Sequence, residues 1–478
     1  MDEPADLTLV ELLPLLEARR LSARELLASC LQRVERHEPQ VRAFVTLTPE
    51  RAQAAAVRAD EDRAAGRPVG PLAGVPVAVK DLFLTRGVPT TASSRVLAGH
   101  DPGVDAAAWV RLRDAGAGLL GKTTLHEFAY GTGSHPTRNP WDRTRTPGGS
   151  SGGSGAALAA RMVPAATGSD TGGSLRIPAA ACGLSSLRPT QGRVSTYGAL
   201  PLSRSLDTAG PMARRMRDVS LLLRLLAGPD RRDPGSLDEP VPGYPDAPDE
   251  DLTGVRIGTA TRWFWDDVDP SVAATCRAAL DRLTARGAEL VPFDPPDGTE
   301  RLMAFPGAYG ALMGPEALEH HAAWLAERED RYGASVLHRL AQAREITPEQ
   351  HAQAHRDRER WRGDWRALVA EHRLDAVAHP TLPEPPPVQP DEGRGPGASL
   401  RTTRAWSVSG FPALSVPAGL DDRGLPVGLE LAGLPEQEAA LVGLGIVLDE
   451  DVRLWRSAPP SAPELGAPDN PLDAGGSV

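Results

Sequence analysis

The sequence predicts an α/β fold, and three observations carry that prediction. Segments with helical periodicity alternate with short β-branched runs along most of the 478 residues. The composition, 41% hydrophobic and 24% charged, is that of a chain with a core to bury. The length suits either one large α/β domain or two to three average ones.

Taken in order, Leu9, Leu12, Leu13 and Leu16 follow helical spacing, so residues 8–39 read as helix, with Ser22 a candidate N-cap before Arg24 and Glu25. Residues 50–65, rich in Ala, Arg, Glu and Asp, predict a further helix. The β-branched run at 75–79 predicts a strand. A helix over 106–115 and a short strand over 118–121 follow. Two Gly/Ser clusters come next, at 148–155 and 168–174. The small residues 156–161 between them predict a helix with Ser154 as its N-cap. Residues 228–251, rich in Pro, Asp and Gly, read as an exposed connection. Helices are expected over 270–287 and most of 316–372, a Pro-rich loop over 380–396, and strands over 413–417 and 427–431. Residues 456–478 predict a disordered tail.

Bulk properties exclude several functions. A net charge of −11, a pI near 5.6 and 4% aromatic residues argue against a nucleic-acid partner. No apolar run reaches the 18 or so residues that a membrane span needs. The acidic start, Met1 to Asp6, lacks the basic and apolar regions of a signal peptide. Cys30, Cys182 and Cys276 are too few and too scattered for a disulfide framework or a zinc site. The expectation is a soluble, cytoplasmic protein.

Lysine usage points to the chemistry. Of 52 basic residues only Lys80 and Lys122 are lysines. Arginine replaces lysine in ion pairing and solubility, but its guanidinium keeps its proton and cannot act as a base, whereas a desolvated lysine can. Lys80 ends the apolar run 71–79, where a buried amine is expected. The Gly/Ser clusters admit several readings. The first lacks the Gly-Lys-Ser/Thr ending of a phosphate loop. Gly149-Ser-Ser151-Gly-Gly153 matches a nucleophile elbow but lacks the strand that should precede it. A flexible linker leaves the second Gly-Gly-Ser, flanked by Asp170 and Arg176, unexplained. Together with Lys80 the clusters supply what acyl transfer needs: a serine nucleophile, a second serine to relay its proton, a base, and glycine amides open to an oxyanion.

The chain resembles the amidase signature hydrolases over roughly residues 8–455. The resemblance rests on Gly74-Val-Pro-Val-Ala-Val-Lys80-Asp81, Gly121-Lys-Thr-Thr-Leu-His-Glu-Phe128, Pro147-Gly-Gly-Ser-Ser-Gly-Gly-Ser-Gly155, Gly168-Ser-Asp-Thr-Gly-Gly-Ser-Leu-Arg-Ile-Pro178, Leu206-Asp-Thr-Ala-Gly-Pro-Met212, and the segments 410–417 and 424–431. It implies one large domain with a mixed, twisted sheet covered by helices on both faces. Helices of residues 1–65 would pack on a catalytic domain of residues 66–455. It implies Ser174 as nucleophile, Ser150 as bridging serine on a cis peptide at Gly149–Ser150 or Ser150–Ser151, and Lys80 as base. The amides of Thr171, Gly172, Gly173 and Ser174 would form the oxyanion hole, with Ser151, Asp170 and Arg176 in support. Lys122, His126 and His135 would stay outside the triad, and Cys182 would pack in the core. Phe128, Tyr130, the segment 197–202, Met303, Phe305, Tyr309, Leu312 and Met313 would line the substrate pocket. No cofactor or metal is implied, and a homodimer is compatible.

The implied activity is hydrolysis of an amide, anilide or carbamate through an acyl-enzyme, by a chain acting alone. The alternative is the glutaminase subunit of a tRNA-dependent amidotransferase. Such subunits carry an Asp three residues before the Thr of a Thr-x-x-x-Asn-Leu-x-Gly segment. Aligning Gly410 puts Leu400 in the place of that Asp and Ser407 in the place of the Asn, which disfavours glutamine.

Overall fold

The computed structural model describes residues 3–299, 307–389 and 397–460. Its centre is one 11-stranded mixed sheet in the order β1-β3-β2-β4-β6-β5-β10-β11-β9-β7-β8. The strands are β1 (Phe44–Leu47), β2 (Pro76–Lys80), β3 (Gly118–Thr123), β4 (Ala165–Ser169), β5 (Ser185–Arg188), β6 (Ala209–Ala213), β7 (Arg256–Ala260), β8 (Glu289–Phe293), β9 (Ala376–Pro380), β10 (Ala413–Leu420) and β11 (Pro426–Ala432). Strands β3, β2 and β4 run parallel, as do β8, β7 and β9, while β6, β5, β10 and β11 pair antiparallel between them. The central strands are buried along nearly their whole length, which is why they read as apolar and small-residue runs without alternation.

The helices are α1 (Leu9–Glu17), α2 (Ala23–Val41), α3 (Pro49–Ala64), α4 (Ala107–Asp114), α5 (Gly152–Ala159), α6 (Arg176–Cys182), α7 (Met216–Leu226), α8 (Pro270–Thr284), α9 (Gly307–Arg328), α10 (Ala334–Ala343), α11 (Pro348–His372), α12 (Arg404–Ser409) and α13 (Glu438–Val452). Helices α5 and α6 pack together on one face of the sheet, with α6 against β10 and β11. Helices α7, α8 and α13 pack together on the other, with α13 and α8 against β10. Helices α9, α10 and α11 form a further group, in which α9 packs against both α10 and α11.

Three local expectations change. The helix expected over 8–39 is two helices, because Arg19 takes a left-handed φ of 55° and Ser22 restarts the chain with a capping box to Glu25. The stretch of residues 1–65 adds more than helices, since β1 pairs antiparallel with β3 at one sheet edge. The helix after the first Gly/Ser cluster begins at Gly152, so Ser154 is not its N-cap. Ser154 lies inside α5, where its Oγ donates to the Thr167 carbonyl at 2.9 Å and meets Thr123 Oγ1 at 2.7 Å. Residues 461–478 of the expected tail, part of the Pro-rich loop, and Met303 and Phe305 lie outside the described residues.

Candidate active site

Parallel pairing brings the C-terminal ends of β2 and β4 side by side. In open α/β sheets that edge is where ligands bind. Lys80 is the last residue of β2 and Ser169 the last of β4. Lys80 is fully buried, and its Nζ donates to Ser150 Oγ at 2.8 Å, Ser151 Oγ at 2.8 Å and Ser169 Oγ at 2.7 Å. Burial lowers its pKa to about 7, although the Asp170 and Asp207 carboxylates pull the other way. The amine therefore sits among neutral hydroxyls, poised between its two protonation states at neutral pH.

The hydroxyl cage is set by two loops. Ser150 and Ser151 immediately precede α5, and the Gly149–Ser150 peptide is cis. Ser151 Oγ also donates to the Ser169 carbonyl and accepts from the Ser169 amide, each at 3.3 Å, which locks this loop to the end of β4. The Ser151 amide reaches the Ser174 carbonyl at 3.4 Å, so the second loop, which leads into α6, packs directly on the first.

Asp170 organises that second loop. Its carboxylate accepts from the amides of Gly173 (2.8 Å) and Leu175 (3.2 Å). It pairs with two Arg176 nitrogens at 3.0 Å and with Arg188 at 3.1 Å, and Arg176 also pairs with Glu430 at 2.5 Å. All four side chains are fully buried. Burial alone would raise the Asp170 pKa, but Arg176 and Arg188 outweigh it and hold the carboxyl well below the usual range. At Glu430 the balance falls the other way, and burial pushes its carboxyl up to about 7 against the pull of Arg176.

One expected oxyanion donor changes role. The Gly173 amide is committed to Asp170 Oδ1, so it is not a free donor. The amides of Thr171, Gly172 and Ser174 donate to no protein acceptor among the described residues. All three residues line a narrow recess of about 20 Å³, together with Tyr130, Leu202, Tyr309, Met313, Arg339 and Leu400. Glycine is required at 173: φ is +136°, and a Cβ there would meet Thr403 Oγ1 at 2.3 Å. At Gly172 a Cβ would meet the Tyr309 hydroxyl at 2.3 Å, a measure of how closely that ring covers the loop.

Tyr130, Tyr309 and Met313, expected as pocket residues, all border this recess. Phe128 does not line the recess. It is buried in a ring cluster, with His321 at 4.6 Å, Trp324 at 5.4 Å and Tyr332 at 5.5 Å between centroids. Thr171 also borders a larger cavity of about 530 Å³, together with Ser169, Asp207 and the segment 197–202. Asp207 accepts from Thr171 Oγ1 at 2.5 Å and from the Leu202 and Ser203 amides, and burial raises it to about 6.

Lys122 is also buried, but it is matched by a carboxylate, with Asp81 at 3.2 Å, Thr90 Oγ1 at 2.8 Å and the Phe83 carbonyl at 2.9 Å. His126 and His135 border a separate cavity of about 360 Å³. Cys182 is buried and its thiol is pushed up by that burial. Ser169, Arg188, Glu430 and Asp207 carry no signal of a role in the sequence alone. Ser169 comes nearest to one, since it ends a small-residue strand directly before Asp170.

Residues 25–442 match the family model for amidases. The chain belongs to the amidase family. An amidase of Pseudomonas putida is 41% identical, with 95% of this chain and 97% of that protein covered. One component of the glutamyl-tRNA(Gln) amidotransferase of Chloroflexus aggregans is 40% identical, covering 90% and 93%. Among solved structures, one from work on a vestigial protein complex and the origins of an s-triazine catabolic enzyme superposes with a TM-score of 0.85 at 32% identity, covering 93% of this chain and 98% of that one. As a member of that family, the protein has its mixed α/β fold and its hydrolase chemistry at C–N bonds.

Proposed function

We propose that this amidase is a stand-alone hydrolase of a carboxamide-type C–N bond in a small amide, anilide or carbamate, acting without nucleic acid. The observation that carries the reading is the Lys80 amine, buried among three hydroxyls with a pKa near 7. Ser174 Oγ attacks the carbonyl carbon. Its proton passes to Ser150, whose own proton passes to neutral Lys80. The carbonyl π electrons move to oxygen, and the oxyanion rests on the Thr171, Gly172 and Ser174 amides. Collapse breaks the C–N bond, and the proton held by Lys80 returns through Ser150 to the leaving nitrogen, which departs as ammonia or an amine. Water then adds to the Ser174 ester by the same relay, releasing the acid and restoring the serine. Ser151 and Ser169 hold the amine in place, and Asp170 with Arg176 and Arg188 holds the nucleophile loop.

The similarity to an amidotransferase component favours a second reading, glutaminase activity within an assembly. Leu400 opposes it. It lies in the recess beside Ser174 and Tyr309, where it offers an apolar surface and no counter-charge for a glutamine α-ammonium group. The test is ammonia and amine release by the purified chain alone from amides, anilides, carbamates and glutamine, with Ser174→Ala as control. Turnover of an anilide or carbamate that disappears in the control is the expected result. Turnover of glutamine alone, or of nothing until partner proteins join the reaction, would support the second reading.

A further inference from the structure

We infer that Glu316 of α9 with His351 and His355 of α11 forms a binding site for a divalent transition-metal ion of the zinc class, separate from the serine centre. Ligand atoms of the three residues lie within 4.8 Å of one another. His351 and His355 are four residues apart on one helix, so their rings share a face. Their Nε2 atoms are 3.2 Å apart. His351 Nδ1 lies 2.8 Å from the Ala311 carbonyl, which can only accept, so Nδ1 carries the hydrogen and Nε2 presents a lone pair. That is the outer hydrogen bond that orients metal-bound imidazoles. Two imidazoles and a carboxylate suit zinc, with a fourth position left for water.

Glu316 is itself fixed. Its Oε2 accepts from Ser203 Oγ at 2.7 Å and from the Ser205 amide at 3.0 Å. Arg358, on the same helix as the two histidines, donates instead to Gln191 Oε1 at 2.8 Å. An ion here would tie together α9, α11 and the loop at 203–205. Helix α9 also carries Tyr309 and Met313 of the recess, and the loop leads to Asp207, which holds Thr171. The ion therefore braces one wall of the substrate site without touching the reacting atoms. Cys30, Cys182 and Cys276 are all buried and do not compete for it.

The test is titration of chelator-treated protein with Zn²⁺ by calorimetry, alongside thermal unfolding with and without the ion. Variants are His351→Ala, His355→Ala, His355→Gln and Glu316→Gln, with the exposed His338→Ala as control. The expected result is one equivalent of Zn²⁺ bound at micromolar or tighter affinity and a raised melting temperature. Each folded site variant should bind at least about tenfold more weakly, and His338→Ala should bind as the parent does. Two replacements at His355 guard against one failing to fold. No binding by the parent protein, or equal binding by the parent and a folded His355 variant, would overturn the assignment and leave a His–His hydrogen bond in its place.

Discussion

Lys80 and Ser169 end two neighbouring parallel strands, and their side chains meet at 2.7 Å. Strand pairing thus delivers a third hydroxyl to the buried amine, beside the two supplied by the loop before α5. Ser169→Ala should leave the fold intact and lower kcat by about tenfold, the size of effect expected for one lost buried hydrogen bond. Steady-state kinetics with a circular-dichroism check reads this. Parental kcat in a folded variant would remove Ser169 from the account.

The Lys80 pKa sets a pH dependence. Burial lowers it to about 7, so the neutral, base-competent fraction grows as pH rises through that value. The profile of kcat/KM should therefore climb between about pH 6 and 8 and then level. Lys80→Arg keeps a positive charge and loses the base, because the guanidinium does not deprotonate. It should reduce kcat by about 10²–10⁴.

Asp170→Asn should destabilise the protein by about 3–5 kcal/mol, because it leaves Arg176 and Arg188 buried with one carboxylate fewer. The sign with pH follows from the direction of the shift. A carboxyl held below its usual value contributes fully above the unfolded value of about 4, and the contribution is lost as pH falls through the folded one. Urea unfolding of the two proteins should thus differ by the full amount at pH 7 and converge only in strong acid.

Leu400→Asp tests the apolar character of the recess. It puts a carboxylate beside Tyr309 and Met313 and should raise KM for hydrophobic anilides at least about tenfold, with a smaller effect on kcat. Unchanged KM would mean that the acyl group does not reach this wall.

Much of the site is legible from residues close together in the chain. The rarity of lysine singles out Lys80, and the two Gly/Ser clusters carry the serines and the amides. The strands at 76–80 and 118–123 follow from β-branched and apolar runs. What escapes depends on pairing across long separations. Ser169 matters only because β4 lies beside β2, and Arg188 and Glu430 reach the Asp170 network from β5 and β11. Phe128 is misplaced because an aromatic residue near a motif reads equally as pocket or core, and here three rings from the α9–α10 region claim it. The motif assigns Gly173 to the oxyanion hole, and only its distance to Asp170 shows its amide to be in use.

The most direct measurement needs no knowledge of the substrate. A small sulfonyl fluoride that labels activated serines is reacted with the parent protein and with Lys80→Ala across pH 5–9, and the modified peptide is located by mass spectrometry. One adduct is expected, on Ser174, forming at a rate that rises with pH through about 7 and falls by about 10²–10⁴ in Lys80→Ala. An adduct on another residue, or a rate on Ser174 that ignores both pH and the loss of Lys80, would contradict it.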